Sequence, residues 1–300
     1  MTTQTDMSKQ RNIVFFGTED FSLTALSGLI ENNYNVRLVV TKPDAPRGRG
    51  HKLASPAVKL LAEKHNITAL QPRALGDIRS VVEELDQPVG VLSSYGKIVP
   101  EAILNLFTPG IINIHPSLLP LYRGPSPIES AILNNDTKTG VSIMKLVAAM
   151  DAGPVYVQAE IELTGTETKP ELYKRLAKLG TELLIDHLPS IMDGSLLPQP
   201  QNDQAASYCP LLSKADGILD PARLTAEEAE RRVRAYAGYP KTRFNYGQTS
   251  LIVTKAHISH QAKTPLDMRY RDGAYLVIDE LVAPSGRTMS AEAFLRGYAS

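Results

Sequence analysis

The 300-residue sequence has no tryptophan, one cysteine and no excess of either charge, with 32 Lys+Arg against 32 Asp+Glu. Each shortage excludes something. Cys209 has no second cysteine to pair with, so no internal disulfide supports the fold, which fits a reducing compartment. Zero net charge argues against coating nucleic acid by bulk positive charge, though not against a local basic patch. No apolar run approaches the roughly 20 residues that span a bilayer; runs such as Val36–Val40 are strand-sized. The polar stretch Met1–Asn12 lacks the apolar core of a secretory signal and reads as a frayed tail, with Met7 an alternative start. A soluble, cytoplasmic protein is the expectation. Also missing are a Gly-x-Gly-x-x-Gly fingerprint, a phosphate-cradling Gly-x-x-x-x-Gly-Lys-Ser/Thr loop, a cysteine cluster and a His-x-x-x-His pair. Six scattered histidines define no metal site.

What is present is a chain that can bury a core. Hydrophobic residues make up 43%, and the length suits about two domains. Strand-like and helix-like segments alternate through the first two-thirds. Strands are expected at Ile13–Phe16, Val36–Thr41, Val89–Leu92, Ile111–His115, Val141–Val147 and Val155–Leu163. Helices are expected at Phe21–Glu31, from Pro56 to His65, and at Asp77–Leu85, Pro100–Phe107, Pro127–Leu133 and Lys169–Asp186. Repeated β-α units imply a Rossmann-like, mostly parallel sheet covered by helices, with ligands at the carboxyl ends of the strands. The polar, proline-interrupted stretch 194–207 reads as a linker. It separates a first domain (1–193) from a smaller β-rich one (208–300). The latter has a helix at Thr225–Tyr236, strands at Ser250–Ile258 and Ala274–Val282, and a terminal helix from Ser290. Residues 208–300 carry 13 Lys/Arg against 10 Asp/Glu, net +3, so residues 1–207 carry net −3.

Three stretches carry chemistry. In Gly110–Gly124, Ile111, Ile112 and Ile114 mark a buried strand whose period-2 alternation sets Asn113 and His115 on one face at its carboxyl end. An amide donor and a tunable proton acceptor pointing the same way suit reaction at a carbonyl. Alone, a strand-end histidine is more often a satisfied polar residue. In Met150–Pro154, Gly153 and Pro154 fix a turn from which Asp151 projects. Asp151 either orients His115, as the third member of a triad does, or only caps its own backbone turn. Thr41–Pro56 is too long and too rich in Pro and Gly for a simple connection. It carries Arg47, Arg49 and Lys52, with Lys42 at its base: cations for a phosphate backbone, or a solvated basic loop. Gly17–Phe21 reads as a helix start capped by Thr18, and Cys209 as a packed thiol.

Taken together these pieces resemble the methionyl-tRNA formyltransferases, a branch of the folate-dependent formyltransferases, across nearly the whole chain. The resemblance rests on Phe16-Gly-Thr-Glu-Asp-Phe21, the Thr41–Pro56 loop, Asn113-Ile-His-Pro-Ser-Leu-Leu-Pro120, Arg123-Gly-Pro-Ser-Pro-Ile128 and Met150-Asp-Ala-Gly153. It continues through Tyr208–Asp220, Arg234-Ala-Tyr-Ala-Gly-Tyr-Pro240 and Met289–Gly297. The Asn-x-His…Ser-Leu-Leu-Pro segment is shared by folate-dependent formyltransferases generally, so it speaks for the chemistry and not for the acceptor. The Lys-Pro-Asp…Gly-Arg-Gly loop resembles the tRNA-acting branch.

The resemblance implies transfer of the formyl group of 10-formyltetrahydrofolate, without a metal, to the α-amine of initiator methionyl-tRNA. In that reading Asn113 holds the developing oxyanion, His115 assists proton transfer and Asp151 orients His115. Ser117, Leu118, Leu119 and Pro120 match the folate-contacting segment, and Tyr95, Gly96 and Ile98 wall the pterin pocket. Lys42, Arg47, Arg49 and Lys52 meet the acceptor stem, and an OB-like C-terminal domain grips the acceptor arm. The family also implies a monomer. Only 15 residues, 259–273, join the last two expected strands, and the Pro-Gly that introduces a further strand in the family is absent, so the barrel is expected to be abbreviated. A formyltransferase acting on an amino-sugar or other small amine is the alternative, and a non-catalytic RNA-binding protein a third reading. The cationic loop and the second domain argue against the former. The intact Asn113, His115 and Asp151 argue against the latter.

Overall fold

The computed structural model describes residues 10–47 and 52–298; the tail 1–9, the loop tip 48–51 with Arg49, and residues 299–300 lie outside the described residues. The order begins β1 (Ile13–Gly17), α1 (Asp20–Glu31), β2 (Val36–Val40), β3 (Ala45–Arg47), β4 (Lys52–Ala54), α2 (Ala57–Lys64) and β5 (Thr68–Leu70). It continues α3 (Arg79–Glu83), β6 (Val89–Ser93), α4 (Glu101–Leu104), β7 (Ile111–His115), α5 (Pro127–Leu133), β8 (Lys138–Lys145), β9 (Val155–Glu162) and α6 (Lys169–Met192).

A seven-stranded sheet runs β5-β2-β1-β6-β7-β8-β9. It is parallel from β5 through β7, and β8 returns antiparallel to β7. The expectation of a mostly parallel sheet therefore holds. The strand order reverses at β1, which has β2 on one side and β6 on the other, and such a reversal opens a crevice at the carboxyl ends. One face of the sheet builds a core from Val14, Phe16, Leu38, Val40, Leu92 and Ile111. The other face receives α6 at close range, because a Cβ on Gly180 would stand 2.6 Å from Ile114 Cγ2 and 3.1 Å from Val141 Cγ1.

Several boundaries differ from the sequence reading. The helix expected at Asp77–Leu85 is a 3-10 turn, Leu75–Ile78, followed by the short α3. The strand β8 starts at Lys138, three residues before Val141, and α6 passes Asp186 to Met192 with Pro189 inside it. Thr18 does not cap α1. Glu19 holds the cap position, and the Thr18 hydroxyl donates to Tyr95 O at 3.1 Å.

Grouped by proximity, the chain forms two compact units: 1–125 with 140–161 and 173–208, and 126–139 with 162–172 and 209–300. The grouping differs from a cut at 193. Residues 126–139, which include α5, belong with the second unit. The stretch read as a linker is hydrogen-bonded into the first: Gln199 exchanges backbone bonds with Val155, and Ser207 O accepts from Arg123 N at 2.9 Å.

The second unit continues with α7 (Ala226–Ala235), β10 (Thr242–Tyr246), β11 (Thr249–Ser259), β12 (Met268–Arg269), β13 (Tyr275–Val282), β14 (Thr288–Ser290) and α8 (Ala291–Tyr298). Its sheet runs β10-β11-β13-β12, with β14 also on β13, and the pairings are antiparallel. Leu251, Val253, Leu276, Ile278 and Leu281 from the strands meet Val233 of α7 and Phe294 of α8 in one core. The start of α7 is fixed as its sequence implies: Thr225 Oγ1 accepts from Glu228 N at 3.1 Å, and Glu228 Oε2 accepts from Thr225 N at 2.7 Å. The short 259–273 segment still supplies β12, a strand of two residues.

Candidate active site

The site is built on β7. Its residues are all buried, and the β-branched isoleucines suit a strand covered on both faces. Register pairs Asn113 with Leu92 of β6 and His115 with Ser142 of β8. Asn113 and His115 therefore lie two residues apart on one face, opposite to Ile114 and Gly180, and each is 5% exposed.

The imidazole of His115 stands between two oxygens. Its Nε2 is 3.0 Å from Tyr122 O, and its Nδ1 is 3.7 Å from Asp151 Oδ1. The second distance is that of an ion pair, longer than a hydrogen bond. A neutral ring can donate to only one of these oxygens, whereas the imidazolium can face both as donor. Asp151 sits at φ 47°, a left-handed conformation that costs an L-residue about 1–2 kcal/mol. The turn tightens at Gly153, where a Cβ would collide with Lys145 O of β8. Asp151 Oδ2 accepts from Gly124 N at 2.9 Å, so the carboxylate is held at one oxygen and offers the other to His115. Asp151 thus does not merely close its own turn. Among the described residues, the Asn113 side-chain amide makes no hydrogen bond, and the residue is 5% exposed. An amide on a largely buried residue that makes no protein hydrogen bond can donate to a ligand oxygen.

The residues expected to meet a folate divide by environment. Ser117 is fully buried and donates to Leu121 O at 2.6 Å; Leu119 is buried, and its N–H donates to Ser142 Oγ at 3.0 Å. Gln158 Nε2 donates to Leu119 O and to Ser142 Oγ, both at 2.8 Å. Leu118 packs its Cδ2 over Gly140. Pro120 O accepts from Ser207 N at 3.2 Å. Ser117 and Leu119 therefore hold the loop's shape. Tyr95 is fully buried, edge-on to Phe16 at 5.7 Å; burial pushes its hydroxyl up to about 12, and that oxygen has no partner among the described residues. Gly96 takes φ 68°, and Ile98 is 81% exposed, apolar surface open to a ligand.

At the cationic loop, β3 and β4 form a small antiparallel ladder that pairs Arg47 with Lys52. Arg49 lies outside the described residues. The base of the loop is fixed by Asp44. Its carboxylate accepts from Gln71 Nε2 at 2.6 Å, Ser55 Oγ at 3.1 Å and Lys59 Nζ at 3.3 Å. These bonds, that of Gln71 foremost, hold it below the usual carboxylate range. Lys42 runs from the end of β2 to the end of β6, where a Cβ on Gly96 would collide with its Nζ. Since β1 lies between those strands, the ammonium crosses the crevice.

Sequence reasoning did not single out Tyr122, Gly124, Ser142, Gln158 or Gln201. The first two act through backbone atoms, which no side-chain pattern announces. Ser142 had a readable signal, as it lies opposite His115 on the next strand. Gln201 lies in a stretch whose composition resembles a tether.

Among the described residues no group of His, Cys, Asp or Glu is arranged to hold a metal, and no helix is long and apolar enough to cross a membrane. The family model described as formyl transferase matches residues 11–188. A methionyl-tRNA formyltransferase of Thermotoga maritima is 41% identical over 80% of this chain and 77% of its own length. Relatives of the same name from Pelobacter propionicus and Chloroflexus aurantiacus are 35% and 38% identical. They cover 96% and 95% of this chain, and 93% and 96% of their own lengths. Among solved structures, an N-formyltransferase from Helicobacter canadensis in complex with folinic acid and dTDP-3-aminofucose shares the fold. Its TM-score is 0.66 at 17% identity, covering 90% of this chain and 98% of its own. HypX from Aquifex aeolicus, in complex with tetrahydrofolic acid, matches with TM-score 0.65 at 15% identity, over 96% of this chain and 47% of its own. The family match and these identities over most of the chain lead to one assignment: the chain belongs to the methionyl-tRNA formyltransferases of the formyl transferase family.

Proposed function

We propose that the protein transfers the formyl group of 10-formyltetrahydrofolate to the α-amine of initiator methionyl-tRNA, giving N-formylmethionyl-tRNA for translation initiation. The observation that carries this reading is His115 set between Asp151 and Tyr122 O, beside an Asn113 amide that no described residue engages. The folate supplies a formyl carbon to the attacking amine, and its N10 leaves with a proton. Asn113 donates to the formyl oxygen as negative charge gathers there. His115 gives up the Nε2 contact with Tyr122 O to take the proton that the amine sheds, and returns one toward the leaving nitrogen. Asp151 balances the imidazolium between those transfers. Proton count is conserved: one leaves the amine, one arrives at N10.

The unengaged amide of Asn113 and the exposed Ile98 fit a bound folate. In this reading Gly96 and Ile98 form one wall of its pocket with the buried Tyr95 behind them, and Leu118 and Pro120 the other, on a loop whose shape Ser117 and Leu119 hold. Lys42, Arg47, Arg49 and Lys52 take phosphates of the acceptor stem, and residues 208–300 an OB-like hold on the acceptor arm. The protein works as a monomer in the cytoplasm.

Incubation with 10-formyltetrahydrofolate and either charged initiator tRNA or free amino-sugars tests the acceptor. Formylated methionyl-tRNA is expected. Formylation of the amino-sugar alone would overturn the reading.

A further inference from the structure

Peptide 122–124 touches the catalytic pair twice. Tyr122 O faces His115 Nε2 at 3.0 Å, and Gly124 N donates to Asp151 Oδ2 at 2.9 Å. The side chain between them, Arg123, is 2% exposed and turns away from both. Its Nε and Nη2 donate to Gln201 Oε1 at 3.1 and 2.9 Å, and Nη2 also reaches Asp203 Oδ1 at 2.6 Å. Gln201 Nε2 then donates to Asp151 O at 2.8 Å and Gly153 O at 2.6 Å. The orientation of the amide is forced: a guanidinium has donors only, so the amide oxygen must face Arg123 and its NH2 the two carbonyls.

The result is a closed ring. Asp151 is gripped at its carboxylate by Gly124 and at its carbonyl by Gln201, and Gln201 is held by the residue next to Gly124. A non-glycine residue at φ 47° persists only where its surroundings over-determine it. Two donated bonds to the carbonyls of 151 and 153 supply that restraint. We propose that Gln201, oriented by Arg123, is a positioning residue that fixes Asp151 opposite His115. The stretch 199–208 is thereby part of the active-site framework. This inference rests on the formyl-transfer reading above.

The test compares wild type, Gln201→Met and Gln201→Glu, each also on an Asp151→Asn background. Gln201→Met keeps the shape and loses every bond. Gln201→Glu keeps an acceptor for Arg123 and loses both donors. The expected result is a fall in kcat of about 10²-fold, the scale of a roughly 1 Å misplacement. KM for folate and tRNA should stay near wild type, and the pH profile of kcat should differ from that of the wild type. On the Asp151→Asn background the further loss should largely vanish, because Gln201 acts by placing the carboxylate charge that Asn has already removed. Wild-type kcat and pH profile in Gln201→Glu, or full additivity with Asp151→Asn, would overturn the inference. Failure of the wild type itself to formylate methionyl-tRNA would instead overturn the functional reading.

Discussion

Asp151 divides its two oxygens between Gly124 and His115: Oδ2 takes the Gly124 N–H at 2.9 Å while Oδ1 stands 3.7 Å from Nδ1 of the ring. Asparagine keeps the shape and removes the charge that, in the proposed mechanism, balances the imidazolium. Asp151→Asn should therefore lower kcat by about 10²–10⁴-fold, the range of a missing proton-transfer partner. Steady-state kinetics will show it, and turnover within a few-fold of wild type would sink the role.

In the proposed mechanism Asn113 contributes through its amide alone. Asn113→Ala should lower kcat by about 10²–10³-fold, as loss of one oxyanion donor does. The equilibrium affinity for folate should change little, because the bond strengthens as charge develops. Pre-steady-state turnover and a fluorescence titration with folate separate the two effects. Near-normal turnover would remove Asn113 from the mechanism; His115→Ala is tested in the same way.

The cationic loop should act by neutralising phosphates. Arg47→Ala combined with Arg49→Ala should weaken tRNA use and reduce the slope of log affinity against log salt by about 1 for each phosphate no longer neutralised. Filter binding at several salt concentrations reads that slope. An unchanged slope would return the loop to a solvated basic surface.

Glu167 gives a pH-dependent stability prediction for the second unit. Burial alone would push its carboxyl up, but bonds from Thr164 N at 2.7 Å, Thr164 Oγ1 at 3.1 Å and Gly165 N at 3.0 Å more than offset that, so it is held below the usual range. A carboxyl with a depressed folded value stabilises fully above its unfolded value, about 4.3, and loses that contribution as pH falls through the folded value. Glu167→Gln should cost about 1 kcal/mol at neutral pH. The difference should shrink below about pH 4. Urea unfolding of both proteins at pH 7 and at low pH measures it.

How legible each part is in the sequence depends on where its information lies. The strand β7 announces itself, because Ile111, Ile112 and Ile114 leave Asn113 and His115 as the only polar residues in the run. Pro127 sets the start of α5 where expected. By contrast, the sequence reading passes over β10 although Thr242, Phe244 and Tyr246 alternate with Arg243 and Asn245, because the run is only five residues long and offers no uninterrupted apolar stretch. Thr18 looks like a cap because hydroxyls favour that place, yet a carbonyl 77 residues away takes its proton. The role of Gln201 is hidden for a similar reason. Hydrogen bonds between distant segments leave no period in the chain, and a proline-flanked polar stretch has the composition of a tether whether or not it is tied down.

The missing side chain at Gly180 has a consequence for anyone reading variants of this protein. It lets α6 rest on Ile114, on the reverse of the strand that carries Asn113 and His115. A clinical or evolutionary survey that scores residues by distance from the substrate would pass over this position. A methyl group added there would press on the back of β7, so Gly180→Ala belongs among the changes expected to read as loss of function without touching the proposed reacting groups.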